Sequence, residues 1–374
     1  MSDERRLALK PVLIIGAGPV GLAAALFLTR RGVPVRIVDA DTAPSETSRA
    51  LGINPRTLAL LSDTGVTAAI LAEAQPIRAL SLHHHGQPLA KIALNDAALG
   101  ADHPMVILPQ ARSEAHLTEA LSALGVRVER GRAVASLAQD ATAASAVMTD
   151  GEVIDAPVVF AADGAHSVAR HALGIDFSGD GWPEPWHLMD VDLDGPPADE
   201  GWIDFQPDGG FICLPFSGRM FRLFSFGRPL LERVPADWRV GAVHWQSEFK
   251  VSHRIASRLS SGRIALGGDA AHIHSPVGAR GMNLGIEDAY VFAACCADFL
   301  NGETGRLEDY HRLRHPVDAA VVRNVRTLTS FVRNTGPLAD LAKRTLPPIA
   351  ARLPFVINRA LRVGMGLDHP VRLR

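Results

Sequence analysis

The amino-acid sequence predicts an α/β protein that combines a parallel sheet with an inserted, mostly antiparallel β-sheet and with C-terminal helices. Three observations support this fold class. The chain opens with a buried strand, a glycine-rich turn, a helix and a second strand, an order typical of parallel α/β sheets. The window 177–249 is rich in aromatic residues and breaks into short alternating runs separated by turn residues. After residue 282 the pattern is helical throughout.

The composition describes a folded globular protein. Of the 374 residues, 47% are hydrophobic and 21% are charged, which excludes a disordered chain. A formal net charge of −2 argues against a general electrostatic affinity for nucleic acid or for an anionic membrane. The first residues do not form a secretory signal, and no apolar run approaches the roughly 20 residues that span a bilayer. We therefore expect a cytoplasmic protein without nucleic-acid or membrane partners.

The first elements form a βαβ unit. Residues Pro11 to Gly16 are a continuous apolar run ending in glycine, as expected of a strand buried on both faces. Residues Pro19 to Arg31 favour a helix, and Gly32 is suited to end it. Residues Val35 to Asp39 then provide the second, parallel strand. The protein therefore begins as a doubly wound fold.

The elements that follow alternate less regularly. Residues 54–75 have a helical pattern with a turn near Gly65, residues 77–108 favour strands, and Glu114 to Leu124 form an amphipathic helix before short strands up to Val159. The window 177–249 holds all five tryptophans and eight of the fourteen phenylalanines, and it predicts the inserted antiparallel sheet. In the C-terminal helices, breaks are predicted at four prolines, which are Pro337, Pro347, Pro348 and Pro354.

The first motif is the glycine-rich turn Gly16-Ala17-Gly18-Pro19-Val20-Gly21 between the first strand and the first helix. Glycines at these positions let the turn close and let the backbone approach a pyrophosphate at the helix N-terminus. Asp39 and the neighbouring Ala40 end the second strand, where an acidic side chain accepts a hydrogen bond from a ribose hydroxyl. This arrangement predicts dinucleotide binding, but by itself it does not separate FAD from NAD.

The second motif follows the strand Val158-Val159-Phe160 and includes the turn Asp163-Gly164 and Ser167. Read alone, this segment favours a structural turn in which Ser167 caps a short helix.

The third motif begins at Gly267 with Gly-Gly-Asp-Ala-Ala-His and continues through a proline and glycine loop into a helix. Asp269 follows the strand 263–266. Two structural interpretations of this residue are a helix cap and an isolated core carboxylate. Neither alternative explains the glycine and proline loop before Met282, which includes Pro276 and Gly278, or the position of Asn283 directly after the turn. Unprotected N–H groups at such a helix start suit the pyrimidine end of an isoalloxazine, where negative charge appears on reduction.

The three motifs, in this order and at this spacing, resemble the FAD-dependent aromatic hydroxylase family typified by para-hydroxybenzoate hydroxylase. The resemblance extends from Pro11 to about Gly366. Further matching segments are Arg49-Ala50-Leu51-Gly52, Leu108-Pro109-Gln110 with the following Glu114-Ala115-His116-Leu117, Gly174 to Gly179, and Trp245 to Phe249.

The resemblance implies a single Rossmann-like FAD site. It places the adenosine diphosphate half on the first motif and Asp39, the ribityl hydroxyls on Asp269, and the flavin ring near the helix start at Gly281. The Asp163-Gly164 turn is implicated in both FAD and NAD(P)H handling. The implied cofactor-binding residues are Gly16, Gly18, Pro19, Val20, Gly21, Asp39, Ala40, Arg49, Gln110, Asp163, Gly164, Gly268, Asp269, Pro276, Gly278, Gly281, Met282 and Asn283.

The resemblance also implies a domain arrangement. A discontinuous FAD-binding domain comprises residues 1–76, 105–178 and 260–305. A substrate-binding β domain comprises residues 77–104 and 179–259, and the C-terminal helices occupy residues 306–374.

The implied reaction is monooxygenation of an aromatic small molecule of phenolic or polyketide-like type. NADH or NADPH reduces FAD, and O2 then forms a flavin C4a-hydroperoxide that transfers oxygen to the ring. A flavoprotein oxidoreductase or epoxidase on the same scaffold and a non-catalytic FAD-binding protein are the alternatives. The sequence assigns no catalytic base, and a homodimer is an expectation of the family only.

Two segments depart from the family pattern. After Gly278 this chain has Ala279-Arg280 where many relatives have two small or amide residues, which alters the surroundings of the ring. The link from Pro229 to Arg239 is shorter than usual, which suggests a more open substrate pocket.

No metal site is predicted. The run His83-His84-His85 is interpreted as a solvated edge strand whose side chains alternate between faces and so do not converge on one ion. His272 and His274 flank the loop of the third motif, where packing of the loop is favoured over a catalytic role. The three cysteines have no disulfide or metal-ligand spacing and are expected to pack as small apolar residues.

Overall fold

The computed structural model describes residues 10–45, 50–226 and 229–374. Its helices are α1 (Pro19–Arg30), α2 (Pro55–Leu61), α3 (Val66–Glu73), α4 (Asp96–Leu99), α5 (Gln110–Ala123), α6 (Val168–Ala172), α7 (Gly281–Leu300), α8 (Arg306–Arg333), α9 (Pro337–Ala351) and α10 (Pro354–Gly364). Short 3₁₀ turns occupy Ser62–Thr64, Leu230–Arg233 and Gly268–Ala270.

The strands before residue 182 are short. They are β1 (Val12–Ile15), β2 (Val35–Val38), β3 (Gly52–Ile53), β4 (Gln75–Pro76), β5 (Ala79–His84), β6 (Gln87–Ala93), β7 (Val106–Ile107), β8 (Val128–Glu129), β9 (Val134–Gln139), β10 (Ala144–Met148), β11 (Val153–Ala156), β12 (Val159–Ala161) and β13 (Phe177–Gly181). Longer strands follow, and these are β14 (Trp186–Asp194), β15 (Glu200–Gln206), β16 (Gly209–Ser217), β17 (Met220–Phe226) and β18 (Arg239–Phe249). The last strands are β19 (Ser252–Ala256), β20 (Ser260–Ser261), β21 (Ile264–Leu266) and β22 (His272–Ile273).

A six-stranded sheet forms the centre of the nucleotide-binding part, in the order β20-β21-β12-β1-β2-β8. All of its neighbouring pairs are parallel except β20 with β21. The four residues of β1 are all buried, because helices and the small antiparallel sheet β11-β10-β9 share one core with them. Helix α1 packs against both α5 and α7 in this part. The predicted βαβ unit is confirmed.

Two of the predicted helices need adjustment. The helical region 54–75 consists of α2 and α3, which are separated at Gly65, where φ is +83°. A residue with a left-handed backbone does not continue a helix, so the turn falls there. The helix predicted from Glu114 begins earlier, at Gln110.

A seven-stranded sheet forms the second part, in the order β18-β14-β17-β16-β15-β5-β6. Its neighbours are antiparallel except for the parallel pair β15 and β5. Aromatic and aliphatic side chains alternate between its two faces, so each face has its own apolar cluster. The predicted antiparallel sheet is confirmed, whereas the residue ranges assigned to domains remain predictions.

Helix α8 connects the two sheets. Near its start, the hydroxyl of Tyr310 donates to the carbonyl of Leu266 in β21 over 2.7 Å. Near its end, Val332 packs among aromatic side chains of the seven-stranded sheet. None of the helices within the described ranges has the length and apolar character that a membrane crossing requires.

The predicted proline breaks are partly wrong. Pro337 and Pro354 begin α9 and α10, where a missing N–H group costs nothing. Pro347 and Pro348 lie inside α9, which continues through them to Ala351. Contacts of α9 with β5, β6 and α10 outweigh the local cost of these prolines.

Candidate functional site

The three sequence motifs meet at one edge of the parallel sheet. They follow β1, β12 and β21, which lie side by side, so their loops leave the carboxyl ends of neighbouring strands. A Cβ atom on Gly16 would overlap the carbonyl oxygen of Ala162. A Cβ atom on Gly268 would lie 2.8 Å from Cγ2 of Val20. The motifs are therefore in direct contact, and glycine is what allows this packing.

The N-terminus of α1 is open toward this edge. Gly18 precedes the helix without a side-chain cap, and Pro19 occupies the first turn. A Cβ atom on Gly18 would meet nothing within 4 Å. Free N–H groups beside open space suit a pyrophosphate, which the helix dipole also stabilises.

Asp39 is fixed at the end of β2. One carboxylate oxygen accepts a hydrogen bond from Ala17 N at 2.5 Å, and the other accepts from Asp41 N at 2.8 Å. Arg130 lies 3.5 Å from the same carboxylate, and Ala40 beside it is exposed. The carboxylate thus lies next to the first glycine turn, as predicted for a group that binds ribose.

Gln110 lies at the start of α5, close to the same region. Its side-chain oxygen accepts from Ala50 N at 3.4 Å, and its amide nitrogen donates to Glu114 at 2.8 Å. Burial raises the pKa of the Glu114 carboxyl, although the Gln110 hydrogen bond opposes this shift. Arg49, the remaining predicted residue here, lies outside the described residues.

The second motif contains both a structural cap and an open acceptor. Ser167 accepts from Arg170 N at 3.0 Å and caps α6, as the structural interpretation predicted. Gly164 has φ +79°, which forms the tight turn. One oxygen of Asp163 accepts from Ala169 N at 3.2 Å, whereas its other oxygen is buried without a partner among the described residues. This oxygen is an acceptor suited to a cofactor hydroxyl.

The third motif exposes Asp269 at the end of the parallel sheet. Gly267 and Gly268 are buried, and a single 3₁₀ turn then presents Asp269 at the surface of the loop. An isolated core carboxylate is therefore excluded. The position fits a carboxylate that accepts hydrogen bonds from a polyhydroxylated chain.

The glycine–proline loop (residues 274–280) leads to the N-terminus of α7. That helix has no side-chain cap, so the N–H groups of its first turn have no partner from a capping side chain. Gly278 has φ +84°, and no backbone atom lies near the position of a Cβ there. Pro276 is half-buried beside it and Met282 is buried in the first turn of the helix.

The side chain of Asn283 has a structural task. It is fully buried, accepts from Asn54 N at 3.0 Å, and donates to the carbonyls of Gly52 at 2.8 Å and Ala279 at 2.6 Å. It therefore connects strand β3 to the loop before α7. What Asn283 can offer a cofactor is its backbone N–H group.

Behind the loop lies a buried network of charged side chains. His272 Nε2 lies 2.7 Å from Asp288, and Arg314 donates to the same carboxylate at 2.9 Å. Burial lowers the pKa of His272, but the facing Asp288 carboxylate outweighs it and raises that pKa to about 9. Because His272 is committed to this ion pair, the network supports the packing role over a catalytic one.

His274 is kept neutral by its surroundings, in contrast to His272. Its Nδ1 donates to the carbonyl of Ser275 at 2.8 Å, which fixes the ring orientation. Burial lowers the pKa of His274 to about 3. A neutral imidazole therefore lies at the start of the glycine–proline loop.

The prediction for residues 83–85 is wrong in two respects. Strand β5 lies between β15 and β6, so it is not an edge strand, and His83 stacks on Trp202 with ring centroids 3.4 Å apart. His84 and His85 both reach Asp340, at 2.8 and 3.1 Å. Alternation fails because His85 has φ +51° and already belongs to the turn.

The histidine pair nevertheless has the wrong shape for one ion. The rings of His84 and His85 stack with centroids 4.0 Å apart and planes 17° apart. An ion shared by both Nε2 atoms would lie outside both ring planes, whereas the nitrogen lone pairs lie within them. The contacts with Asp340 instead connect the β5–β6 turn to α9.

The wall opposite the glycine–proline loop is one face of the seven-stranded sheet. Val277 of the loop packs in one cluster with Trp186, Phe226 and Val332. We call this the loop-facing face. The predicted aromatic cluster is thus partly core, since a second cluster, including Trp238, fills the far face.

An ion pair lies within the loop-facing face and was not predicted. Arg222 of β17 and Asp190 of β14 form two hydrogen bonds of 2.6 Å, and both side chains are buried. Trp245 and Phe216 flank the guanidinium group. No spacing in the sequence pairs these residues, because they meet only through the register of two strands.

The shortened link packs against the far face. Its 3₁₀ turn Leu230–Arg233 buries Leu230 and Arg233, and Trp238 closes the same cluster. Arg233 donates to the carbonyl of Phe226 at 2.6 Å. The link therefore stabilises the sheet from behind and does not cover the loop-facing face.

Arg280, the second departure, points into the C-terminal part of the chain. Its guanidinium group donates to the carbonyl of Val363 at 2.9 Å and lies 3.7 Å from Asp368. Ala279 has φ +52° and packs where Gly52 lacks a Cβ. No feature of the sequence indicates these contacts beyond the unusual arginine itself.

Glycine-rich turns at the ends of adjacent parallel strands, with an acidic residue after β2, define the class of dinucleotide-binding α/β proteins. The family described as FAD binding domain matches residues 10–325. The chain therefore belongs to the FAD-binding family of aromatic hydroxylases that its motifs resemble.

Two relatives of this chain are monooxygenases with named substrates. The 6-methylpretetramide 4-monooxygenase of Streptomyces rimosus is 33% identical over 88% of this chain, which covers 64% of that protein. The rifampicin monooxygenase of Streptomyces venezuelae is 30% identical over 90% of this chain, which covers 74% of it. The solved structure of p-nitrophenol 4-monooxygenase from Pseudomonas putida shares the fold, with a TM-score of 0.85, 23% identity, and coverage of 96% of this chain and 98% of that one.

Proposed function

We propose that this protein is an FAD-dependent monooxygenase that uses NADH or NADPH and O2 to hydroxylate a phenolic or polyketide-like aromatic molecule. The observation that carries the proposal is the meeting of three loops at the carboxyl ends of β1, β12 and β21. Family membership supports FAD as the cofactor. Both matched relatives are monooxygenases by name, although this chain covers only part of their length.

The residues present fit FAD along the whole edge. The open N-terminus of α1 and the carboxylate of Asp39 would hold the adenosine diphosphate half. One oxygen of Asp163, which has no partner within the described ranges, and the exposed Asp269 offer acceptors for hydroxyl groups between them. The N-terminus of α7 would place N–H groups and a positive dipole end at the pyrimidine ring.

When bound, FAD accepts hydride from the nicotinamide and activates O2 for transfer to the substrate. This chain's own contribution is binding, orientation and exclusion of water. The uncapped N–H groups of α7 stabilise negative charge at the ring without having to reorganise. His272 and Asp288 keep the loop before that helix in place.

The substrate site is proposed between the glycine–proline loop and the loop-facing face. Aromatic side chains on this face, such as Trp186 and Phe226, suit a planar apolar molecule. The Arg222–Asp190 pair adds a polar element to the same face. The names of two relatives give 6-methylpretetramide and rifampicin as their substrates.

A direct test is to purify the protein and examine it for a bound yellow chromophore. Oxidation of NADH and of NADPH is then followed with a panel of phenols and polyketide-type aromatics, while hydrogen peroxide is quantified. We expect consumption that the substrate stimulates and a product that contains one added oxygen atom. Protein that neither contains nor takes up FAD would overturn the proposal.

The alternatives are separated by the same assay. Substrate conversion without oxygen incorporation would indicate an oxidoreductase on this scaffold, and an oxygen added across a double bond would indicate an epoxidase. Bound FAD that neither nicotinamide reduces would indicate a non-catalytic FAD-binding protein. Light scattering on the purified protein tests the proposed homodimer, and fractionation of the source cells tests the cytoplasmic location.

A further inference from the structure

A short segment after α10 lies against the back of the proposed flavin site. We call residues 366–369 the C-terminal segment. Gly366 is buried, and a Cβ atom there would lie 2.9 Å from atoms of Arg280, Arg56 and Asn54. Only glycine fits this position, which also has φ +72°.

The segment and the end of α10 before it are held by hydrogen bonds from two separate elements. Arg56, in α2, donates to the carbonyl of Gly366 at 3.1 Å and to the carbonyl of His369 at 2.8 Å. Arg280, before α7, donates to the carbonyl of Val363, just before the segment. The elements α2 and α7 are the ones that Asn283 also joins, through Asn54.

His369 supplies the contact with α7 itself. Its Nε2 lies 2.7 Å from Glu287, and its Nδ1 lies 3.1 Å from Asp368. Glu287 is completely buried, one helical turn after Asn283. A buried carboxylate without a cation would be strongly unfavourable, so the chain must supply one from elsewhere.

The charges that face this pair come from every neighbouring element. Glu287 also receives a hydrogen bond from Arg314 of α8 at 3.3 Å. The cationic groups of the cluster are Arg280, Arg314, His272 and His369, and they face the acidic groups Glu287, Asp288, Asp318 and Asp368. Arg56 lies beside the C-terminal segment as a further cation.

We propose that His369 is a positioning residue which, through Glu287, holds the first turns of α7 in the orientation that binds the flavin ring. The inference rests on the proposed function, because it assumes that FAD lies at the N-terminus of α7. His369 itself does not touch the cofactor in this account. It acts by neutralising Glu287 and by joining the C-terminal segment to the helix.

A pH dependence follows from the same geometry. Burial lowers the pKa of His369, but the hydrogen bonds to Asp368 and Glu287 outweigh it and raise that pKa above its ordinary value. The two carboxylates therefore favour the cationic form of His369 in the assembled site. Its contribution is complete at low pH and is lost as pH rises through the raised pKa.

The test compares His369→Ala and His369→Gln with the wild type. Apoprotein is titrated with FAD, and binding is followed by flavin fluorescence and by the visible absorption bands. Loss of a charge-assisted hydrogen bond should weaken FAD binding about tenfold or more in His369→Ala. The glutamine variant retains a hydrogen-bond donor, so its affinity for FAD should fall roughly threefold or less. Its affinity should also lack the decline that the wild type shows as pH rises. His244→Ala removes an exposed histidine–aspartate contact in β18 and serves as the matched control.

The outcomes separate the two proposals. Wild-type protein that does not bind FAD contradicts the proposed function. Wild-type binding with an unchanged dissociation constant in His369→Ala contradicts the positioning role alone. If His369→Ala does not fold, the pH profile of His369→Gln decides, since a profile identical to that of the wild type would overturn the inference. A shift of the flavin absorption bands in His369→Gln supports it, because a purely structural residue would leave them unchanged.

Discussion

The two walls of the proposed active site are built in different ways. The wall at the parallel sheet consists of backbone, where Gly16 and Gly268 let three loops touch and free N–H groups face outward. The wall at the seven-stranded sheet consists of large side chains such as Trp186 and Phe226. A backbone wall depends on a few glycines at fixed spacing, whereas a side-chain wall depends on the register of distant strands. A wall of the first kind can therefore be predicted from the sequence, whereas a wall of the second kind becomes visible only in the folded structure.

The largest effect on stability and on FAD binding is expected from a substitution of Gly16 in the backbone wall. Gly16→Ala places a methyl group on the carbonyl of Ala162 and forces an alanine to φ +96°. We expect a loss of more than about 3 kcal/mol in the free energy of unfolding, together with loss of FAD binding. Gly32→Ala is the control, since φ is +75° there but a Cβ meets nothing within 4 Å. That variant should lose only about 1 kcal/mol in urea titrations. Equal losses in both variants would contradict the packing role of Gly16.

The side-chain wall is tested at its buried ion pair. Asp190→Ala removes two charge-assisted hydrogen bonds from the buried guanidinium group of Arg222, which should lower the free energy of unfolding by about 3 kcal/mol. Asp194→Ala removes an exposed partner of Arg219 from the same strands and should cost less than about 1 kcal/mol. Chemical denaturation measures both. If the free energy of FAD binding to folded Asp190→Ala decreased by as much as its free energy of unfolding, the two walls would not be independent.

Asp269 tests the cofactor wall without disturbing the fold. Because this side chain is exposed, Asp269→Ala should lower the free energy of unfolding of the apoprotein by less than about 1 kcal/mol. Loss of hydrogen bonds between a carboxylate and ribityl hydroxyls should weaken FAD binding about 10- to 100-fold. Calorimetric titration with FAD gives the dissociation constant, and Asp237→Ala provides an exposed control in the link. Full FAD occupancy of Asp269→Ala would refute the assigned role.

The last prediction is a pH dependence at the junction of the two walls. His253 in β19 is buried, and burial lowers its pKa from 6.5 to about 4, with Asp180 and Arg326 as the nearest charges. The unfolded chain therefore takes up this proton first, so stability should fall as pH decreases from 6.5 toward 4. Urea titrations at several pH values should show a shallower fall in His253→Gln. An identical slope in both proteins would rule out His253 as a source of acid sensitivity.

The elements of the backbone wall could be predicted because each is specified by residues that lie close together in the sequence. The strand, glycine turn and helix from Val12 to Arg30 follow directly from apolar runs and glycine spacing. Asn283 was placed at the site, but its side chain bonds to Gly52 and Ala279, contacts that no spacing encodes. Strand alternation failed at His85, where a left-handed residue turns the chain.

The buried ion pairs could not be predicted, because they depend on contacts between residues far apart in the sequence. Glu287 and Asp288 follow Asn283 in a helix whose other residues are largely apolar, a signal that buried cations would be needed. The partners come from α8 and from the C-terminal segment, so the sequence could suggest their existence but not their identity. The Arg222–Asp190 pair likewise depends on strand register.

The central claim is that the loops after β1, β12 and β21 form one FAD site. The structure of the protein in complex with FAD tests it most directly. We expect the pyrophosphate at the N-terminus of α1, the ribityl chain at Asp269, and the pyrimidine ring at the N–H groups of Gly281, Met282 and Asn283. FAD bound at another edge of the sheet, or with its ring away from α7, would contradict the account.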